Sequence, residues 1–146
     1  MPPLATNSVA KNALTVGAVD DLPGGYSPLA GPLQVQMAGF SSWGPTDDGR
    51  IKPDLVGNGV LLLSTVSFYP YYAESLGTSM AAPNVTGSLL LLQEHYERMH
   101  GVGNFMRAAT LKALAVHSAD EAGDAPGPDY RFGWGLLNTE TAAEVI

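Results

Sequence analysis

Ser79 is the residue best placed to act as a nucleophile, because it lies in a run of small residues at the start of a helical pattern. The run is Gly77-Thr78-Ser79-Met80-Ala81-Ala82-Pro83. Apolar residues recur at helical spacing from Val85 onward, which predicts a helix from about Thr78 to His100 with Ser79 in its first turn. The free amides and the positive dipole end there would stabilise negative charge that develops on a substrate oxygen. A serine at this place can also serve only as a helix cap.

The same run, followed by its long apolar helix, resembles the nucleophile segment of the subtilisin-like serine proteases, which are the subtilases or peptidase S8 family. Four further segments resemble the family in the same order: Asn12 to Val19, Phe40 to Pro45, Lys52 to Val56 and Tyr130 to Asn138. The resemblance covers nearly the whole chain. It implies a serine endopeptidase in which Ser79 forms an acyl-enzyme and its backbone N–H helps to hold the oxyanion. The residues that would support the nucleophile are Gly77, Thr78, Met80 and Pro83.

The family's catalytic histidine and aspartate have no counterpart before Ser79. The triad of these proteases runs along the chain in the order Asp, His, Ser, yet all three histidines, His95, His100 and His117, follow the serine. At a helical rise of about 1.5 Å per residue, His95 would lie roughly 24 Å from Ser79 along the axis, too far to act as its base. We therefore expect residues 1–146 to form one partial domain, the C-terminal half of a subtilase catalytic domain. Without the Asp, the His and the oxyanion asparagine, the isolated chain is expected to be inactive.

Two functional hypotheses follow from this pattern. In the first, the chain is part of an endopeptidase whose missing half is supplied by a parent chain or by a second polypeptide. In the second, it is a non-catalytic subtilase-like module for binding or structure, in which Ser79 is vestigial. The intact serine motif favours the first hypothesis, and the absence of the upstream half favours the second. An esterase with a Gly-x-Ser-x-Gly elbow is disfavoured, because Ala81 stands at the position of the closing glycine.

The composition narrows the class of protein. The chain has 146 residues, 45% of them hydrophobic, and a net charge of −7 with only seven Lys and Arg, so we expect a globular domain with no nucleic-acid surface. It contains no cysteine, which excludes disulfides and thiolate metal sites. Met1-Pro-Pro-Leu lacks the regions of a signal peptide, and no apolar run is long enough to suggest a membrane span. The expectation of a secreted protein therefore comes from the family resemblance.

The element pattern predicts an α/β fold, with a mostly parallel sheet and helices packed on its faces, truncated relative to the family. The expected strands are Leu14–Val19, Leu33–Met37 and Leu61–Val66, and the last is a continuous apolar run, typical of a strand covered on both faces. After the long helix, we expect a second helix from an Asn104 cap to about Ser118 and a short one, Thr139–Val145, capped by Asn138. A half domain would expose a sheet edge and an apolar face. We expect the missing half, or self-association, to cover them.

Three loops leave alternatives open. Four aromatic residues between positions 68 and 72 either flank a substrate cleft or cover the edge of the core. The acidic loop 119–129 could supply oxygen ligands to the structural calcium that relatives often bind, but it matches no EF-hand spacing and is more typical of a solvated loop. We therefore expect no cofactor and no metal. Gly57-Asn58 stands where relatives usually carry Ala-Pro, so a flexible turn is expected, with Asn58 as a turn residue and not the oxyanion asparagine.

Overall fold

The computed structural model describes residues 6–146, which form two small sheets and three α-helices. The strands are β1 (Val16–Val19), β2 (Leu55–Asn58), β3 (Leu62–Thr65) and β4 (Tyr72–Ser75), and the helices are α1 (Thr78–His100), α2 (Ala108–His117) and α3 (Thr139–Val145). Two 3₁₀ turns lie at Thr6–Val9 and Pro32–Gln34. Within residues 6–146, no helix is both long and apolar enough to cross a membrane.

The parallel pair of β1 and β2 forms the centre of the fold. The register places Val16 opposite Leu55 and Val19 opposite Asn58. Leu55 and Val56 are completely buried, as expected for strands of a parallel sheet with both faces covered. On the far side of β2, Leu136 makes a parallel bridge to Val56. The expected α/β fold with a parallel sheet is confirmed.

Helix α1 packs closely on this sheet because β2 carries a glycine at the contact. A Cβ added at Gly57 would lie only 2.7 Å from Cγ2 of Val85, so the backbone of the strand touches this helix side chain directly. Leu55, Val85 and Ala115 form one buried cluster at this contact. A second cluster joins the three helices: Leu92, Met106, Leu114 and Ala142.

The expected strand Leu33–Met37 is wrong. Pro32–Gln34 forms a 3₁₀ turn, and Met37 makes only an isolated antiparallel bridge to Val19. The Gln34 side chain explains the turn, because its Nε2 donates to the carbonyl oxygens of Ser27 and Gly31 while its Oε1 accepts from the Ser27 amide. These local bonds give the chain an alternative to a sheet ladder.

The expectation that Leu61–Val66 is a buried strand of the parallel sheet is also wrong. β3 pairs antiparallel with β4, with Leu62 opposite Ser75, and this hairpin is a sheet of its own. Leu63 is 68% exposed. A short continuous apolar run cannot be assigned to a buried parallel strand by its pattern alone. Here the Val66 amide donates to the Tyr71 carbonyl oxygen at 2.9 Å. This bond closes the turn that joins β3 to β4 in a hairpin.

The helix boundaries agree with expectation except at the start of α2. Its N-cap is Arg107, and Asn104 instead closes the end of α1 by donating from Nδ2 to the His100 carbonyl at 2.7 Å. The bounds of α1 and α3 are as expected, and the Asn138 side chain accepts from the Thr141 amide. The long helix carries no cap side chain.

A charged cluster that the sequence analysis missed ties the start of β2 to the segment before β1. Asp54 accepts from the Thr15 amide at 2.6 Å and from both Lys52 and Lys112. Each lysine also donates to the carbonyl oxygen of Ala13. Burial by itself raises the pKa of Asp54, but the hydrogen bonds from Lys112, Lys52 and Thr15 outweigh it and hold the pKa below its ordinary value.

Candidate active site

The start of α1 is held by backbone hydrogen bonds around Gly77. The Gly77 amide donates to the carbonyl oxygen of Gly59 at 2.8 Å, and the Gly77 carbonyl accepts from the amides of Met80 and Ala81. Gly77 has φ 143°, a conformation that residues with a side chain rarely adopt. The glycine of the motif is therefore required by the backbone that leads into the helix.

Ser79 is exposed in the first turn of α1, as expected. Neither its hydroxyl nor its backbone N–H has a hydrogen-bond partner among residues 6–146. The first amides of a helix have no partner inside it. The hydroxyl and the amide at this position are thus free to interact with another molecule.

Gly59 connects the sheet to the start of α1 and was missed by the sequence analysis. Its amide donates to the Val19 carbonyl at 3.1 Å, and its carbonyl accepts from Gly77. A Cβ at this position would lie 2.5 Å from the Cβ of Ala18 and 3.0 Å from the Gly77 oxygen. The spacing Gly57-Asn58-Gly59 in the sequence was the available signal, since glycines in a strand often mark a close approach of backbones.

A cavity of about 500 Å³ opens beside Ser79, between the β3–β4 hairpin and the first turns of α1. It is lined by Leu62, Leu63, Ser64, Thr65, Val66, Ala73, Ser75, Ser79, Met80, Pro83 and Asn84. None of these side chains can act as a general base near neutral pH, because they are apolar, hydroxyl or amide groups. The outer side of α1 continues this surface with exposed Gly87, Leu90 and Leu91.

The three histidines lie at the far ends of their helices. His95 and His100 are in the last turns of α1, where the ring of His100 packs 4.1 Å from that of Tyr96, and His117 is the last residue of α2. None of the three lines the cavity beside Ser79. The residues 6–146 therefore bring no imidazole to the candidate nucleophile.

The aromatic residues at the tip of the hairpin do not cover the core. Phe68 is 63% exposed and Tyr69 83%, with Tyr71 and Tyr72 also largely exposed. The rings of Tyr69 and Tyr71 meet edge to face at 5.9 Å. The interpretation of these residues as a cover for the core edge is wrong.

Two carboxylates of the acidic loop accept hydrogen bonds from nearby backbone amides. Glu121 accepts from the amides of Ala122 and Gly127, and Asp129 accepts from those of Arg131 and Phe132. Within residues 6–146, no group of three or more His, Cys, Asp or Glu side chains could hold a metal ion.

Asn58 lies at the end of β2 and does not adopt the left-handed conformation of a turn residue. Its Oδ1 accepts from the Val60 amide at 2.9 Å, and its Nδ2 donates to Asp21 at 2.8 Å. The expected flexible turn is therefore a segment with two side-chain hydrogen bonds. Leu61, three residues after Asn58, has φ 57°, which is unusual for a residue other than glycine.

The fold, with a serine in the first turn of a helix that packs on a parallel pair of strands, is subtilisin-like. The CspB protease of Clostridium perfringens is similar in structure, with a TM-score of 0.75, 28% identity, and coverage of 97% of this chain and 28% of that chain. Fervidolysin from Fervidobacterium pennivorans, a keratinolytic enzyme related to subtilisin, gives a TM-score of 0.66 at 25% identity, covering 91% of this chain and 19% of that one.

Sequence comparison agrees with this class. The model of the subtilase family matches residues 2–135, so the chain belongs to the subtilase family. The C5a peptidase of Streptococcus pyogenes is 48% identical over 65 residues, which is 44% of this chain and 6% of that protein. The minor extracellular protease Vpr of Bacillus subtilis is 32% identical over 104 residues, covering 67% of this chain and 12% of that protein. The chain thus spans a small part of the length of the relatives it matches.

Proposed function

We propose that this chain is the nucleophile-bearing part of a serine endopeptidase domain, in which Ser79 attacks a peptide carbonyl and forms an acyl-enzyme. The observation that carries the proposal is the exposed Ser79 in the first turn of α1, with its hydroxyl and amide unpaired among the described residues. In this role, the Ser79 amide and the positive end of the helix dipole stabilise the oxyanion. Gly77, Thr78, Met80 and Pro83 hold the serine in its turn.

The proposal includes a second polypeptide segment that brings the base. A serine hydroxyl needs a general base within hydrogen-bond reach, and the cavity beside Ser79 is lined by no group that can supply one. A histidine held by an aspartate enters this cavity in our account, together with the asparagine that completes the oxyanion hole. The segment that carries them is either another part of a parent chain or a separate polypeptide.

Two surfaces suit the docking of that segment. No charged residue stands between Thr78 and Gln93 in the sequence, although Leu90 and Leu91 are more than 60% exposed. On β1, Val16 makes no backbone hydrogen bond outside the β1–β2 pair within residues 6–146. An uncharged helix face and an unpaired strand position are what a missing part of the same domain would cover.

The isolated chain has negligible peptidase activity in this account. Loss of the general base from a protease of this mechanism lowers kcat by roughly 10⁶-fold, and the small remainder depends on an intact oxyanion hole. Secretion and a polypeptide substrate are further parts of the proposal. They are supported by the relative that is named an extracellular protease.

The experiment that tests the proposal is fluorophosphonate labelling of the chain, tagged and purified from its native cells, with intact mass measured on the same material. Labelling at Ser79, lost in the variant Ser79→Ala, together with a second polypeptide segment that contains Asp and His, is the expected result. A single unlabelled chain would contradict the proposal and favour the non-catalytic binding or structural module.

A further inference from the structure

Asn58 and its neighbours form a continuous set of hydrogen bonds that ends at the start of α1. The side chain of Asn58 bonds the Val60 amide and Asp21, so it restrains the residues on both sides of Gly59. Gly59 in turn bonds the end of β1 through its amide and Gly77 through its carbonyl. Gly77 is two residues before Ser79.

We propose that Asn58 is a positioning residue for Ser79, which acts by fixing the direction of the Gly59 carbonyl and thereby the first turn of α1. The inference rests on the proposed function of Ser79. An asparagine that bonds the amide two residues ahead closes a local turn and restricts the backbone between them. The direction of the Gly59 carbonyl is then set before α1 begins.

The backbone near Asn58 supports this role. Leu61 keeps φ 57°, a conformation that is strained for a residue with a side chain and persists only where its surroundings impose it. The Asn58 bond to Val60 restrains the residue directly before Leu61. Without that bond, we expect the segment from Gly59 to Leu61 to relax and the Gly59 carbonyl to turn away from Gly77.

A proline at position 58 could restrain the backbone there in place of the asparagine hydrogen bonds. The Asn58 amide makes no hydrogen bond outside the β1–β2 pair within the described part of the chain, so a proline at this position would leave the rest of the hydrogen-bond set in place. A proline ring fixes φ near −65° and removes only the backbone donor. We infer that asparagine achieves through two hydrogen bonds what a ring achieves by covalent geometry.

Amide hydrogen exchange of the whole chain, measured by NMR, tests the inference. In Asn58→Ala, the exchange of the Gly77 amide should rise roughly three- to tenfold relative to the Val56 amide, a change of the size expected for one ordinary hydrogen bond. In Asn58→Pro, the protection of Gly77 should return to within about twofold of the wild type if rigidity is what matters. A purely structural role for Asn58 would raise both amides in proportion, and that result would overturn the inference.

Asn138→Ala is a matched control. Asn138 has the same chemistry, since its Oδ1 accepts from the Thr141 amide and its Nδ2 donates to Asp120. This variant should lose protection at Thr141 and leave the ratio of Gly77 to Val56 unchanged. A selective change at Gly77 in this control would count against a specific path through Asn58.

Fluorophosphonate labelling separates this inference from the proposed function. In material purified from native cells, Asn58→Ala should label at Ser79 more slowly than the wild type, and Asn58→Pro should recover the rate. An unlabelled wild type contradicts the proposed function, while the exchange data still decide the link between Asn58 and Gly77. A labelled wild type with an equally fast Asn58→Ala overturns the positioning role.

Discussion

The amide of Gly77 donates a 2.8 Å hydrogen bond to the carbonyl oxygen of Gly59, and this bond joins the helix that carries Ser79 to the end of the parallel strands. The methyl groups of Ala18 and Ala81 both lie within 3.3 Å of where a Gly59 Cβ would be. The start of the serine helix is therefore positioned by close contacts that leave no room for a side chain at Gly59. This arrangement therefore requires small residues at positions 18, 59 and 81.

Gly59→Ala should displace the start of α1. The new methyl group would lie 2.5 Å from the Cβ of Ala18 and 3.0 Å from the Gly77 oxygen, so we expect a loss of about 1 to 3 kcal/mol in the free energy of unfolding. Urea denaturation followed by circular dichroism measures it. Gly87→Ala is the control, because it lies mid-helix with open space around it and should gain roughly 0.5 to 1 kcal/mol. Equal effects of the two substitutions would refute the packing account.

Asp54→Ala should be among the most destabilising single substitutions. It leaves Lys52, which is 2% exposed, without its carboxylate, and breaking a buried ion pair from one side costs about 3 to 5 kcal/mol. Asp48→Ala is the matched control, since Asp48 also pairs with a basic residue but is 52% exposed. We expect little change there. Chemical denaturation of both variants measures the two changes in the free energy of unfolding. A small change for Asp54→Ala would contradict the prediction and show that Lys52 and Lys112 are well solvated without the carboxylate.

The stability should depend on the charge of Asp54 in acid. The folded-state pKa of Asp54 lies below the ordinary 3.8, so its carboxylate contributes stability above about pH 4. That contribution is lost as the pH falls through the folded pKa. The melting temperatures of the wild type and of Asp54→Asn should therefore differ most near neutral pH and converge as the pH falls below the folded-state pKa. A difference between them that stays constant with pH would exclude this linkage.

The apolar hairpin should drive self-association of the isolated chain. Leu63, Phe68 and Tyr69 are each more than 60% exposed, so replacing all three by Ser should change the stability by only about 0.5 kcal/mol per site. Sedimentation velocity should show concentration-dependent association of the wild type and less of it in the triple variant. Val102→Ser, at a residue 96% exposed elsewhere, is the control and should associate like the wild type. A monomeric wild type at all concentrations would contradict the idea.

The sequence predicts the elements best where local signals agree. The helix Thr78–His100 combines a helical spacing of apolar residues with a closing glycine, and both its ends were predicted correctly. Asn138 as the cap of Thr139–Val145 depends on one side chain and its neighbour, and it too was predicted. Such features depend on a small number of residues that lie close together in the sequence.

The errors arise where distant or competing contacts decide the structure. Leu33–Met37 has the composition of a strand, but Gln34 bonds back to Ser27 and Gly31. The apolar run 61–66 has the pattern of a buried strand, yet it pairs with β4 in a hairpin and most of β3 is exposed. The cluster of Asp54 with Lys112 joins positions far apart in the sequence, so no spacing rule reveals it. The only sequence signal for the close contact at position 59 is the glycine itself.

Labelling of Ser79 by a fluorophosphonate, in chain purified from native cells, tests directly whether this serine is a catalytic nucleophile. We expect modification at Ser79, its loss in Ser79→Ala, and a co-purifying or covalently continuous segment that contains Asp and His. We also expect the recombinant chain of residues 1–146 alone to remain unlabelled. An unlabelled native preparation in which this chain occurs alone and folded would contradict the account.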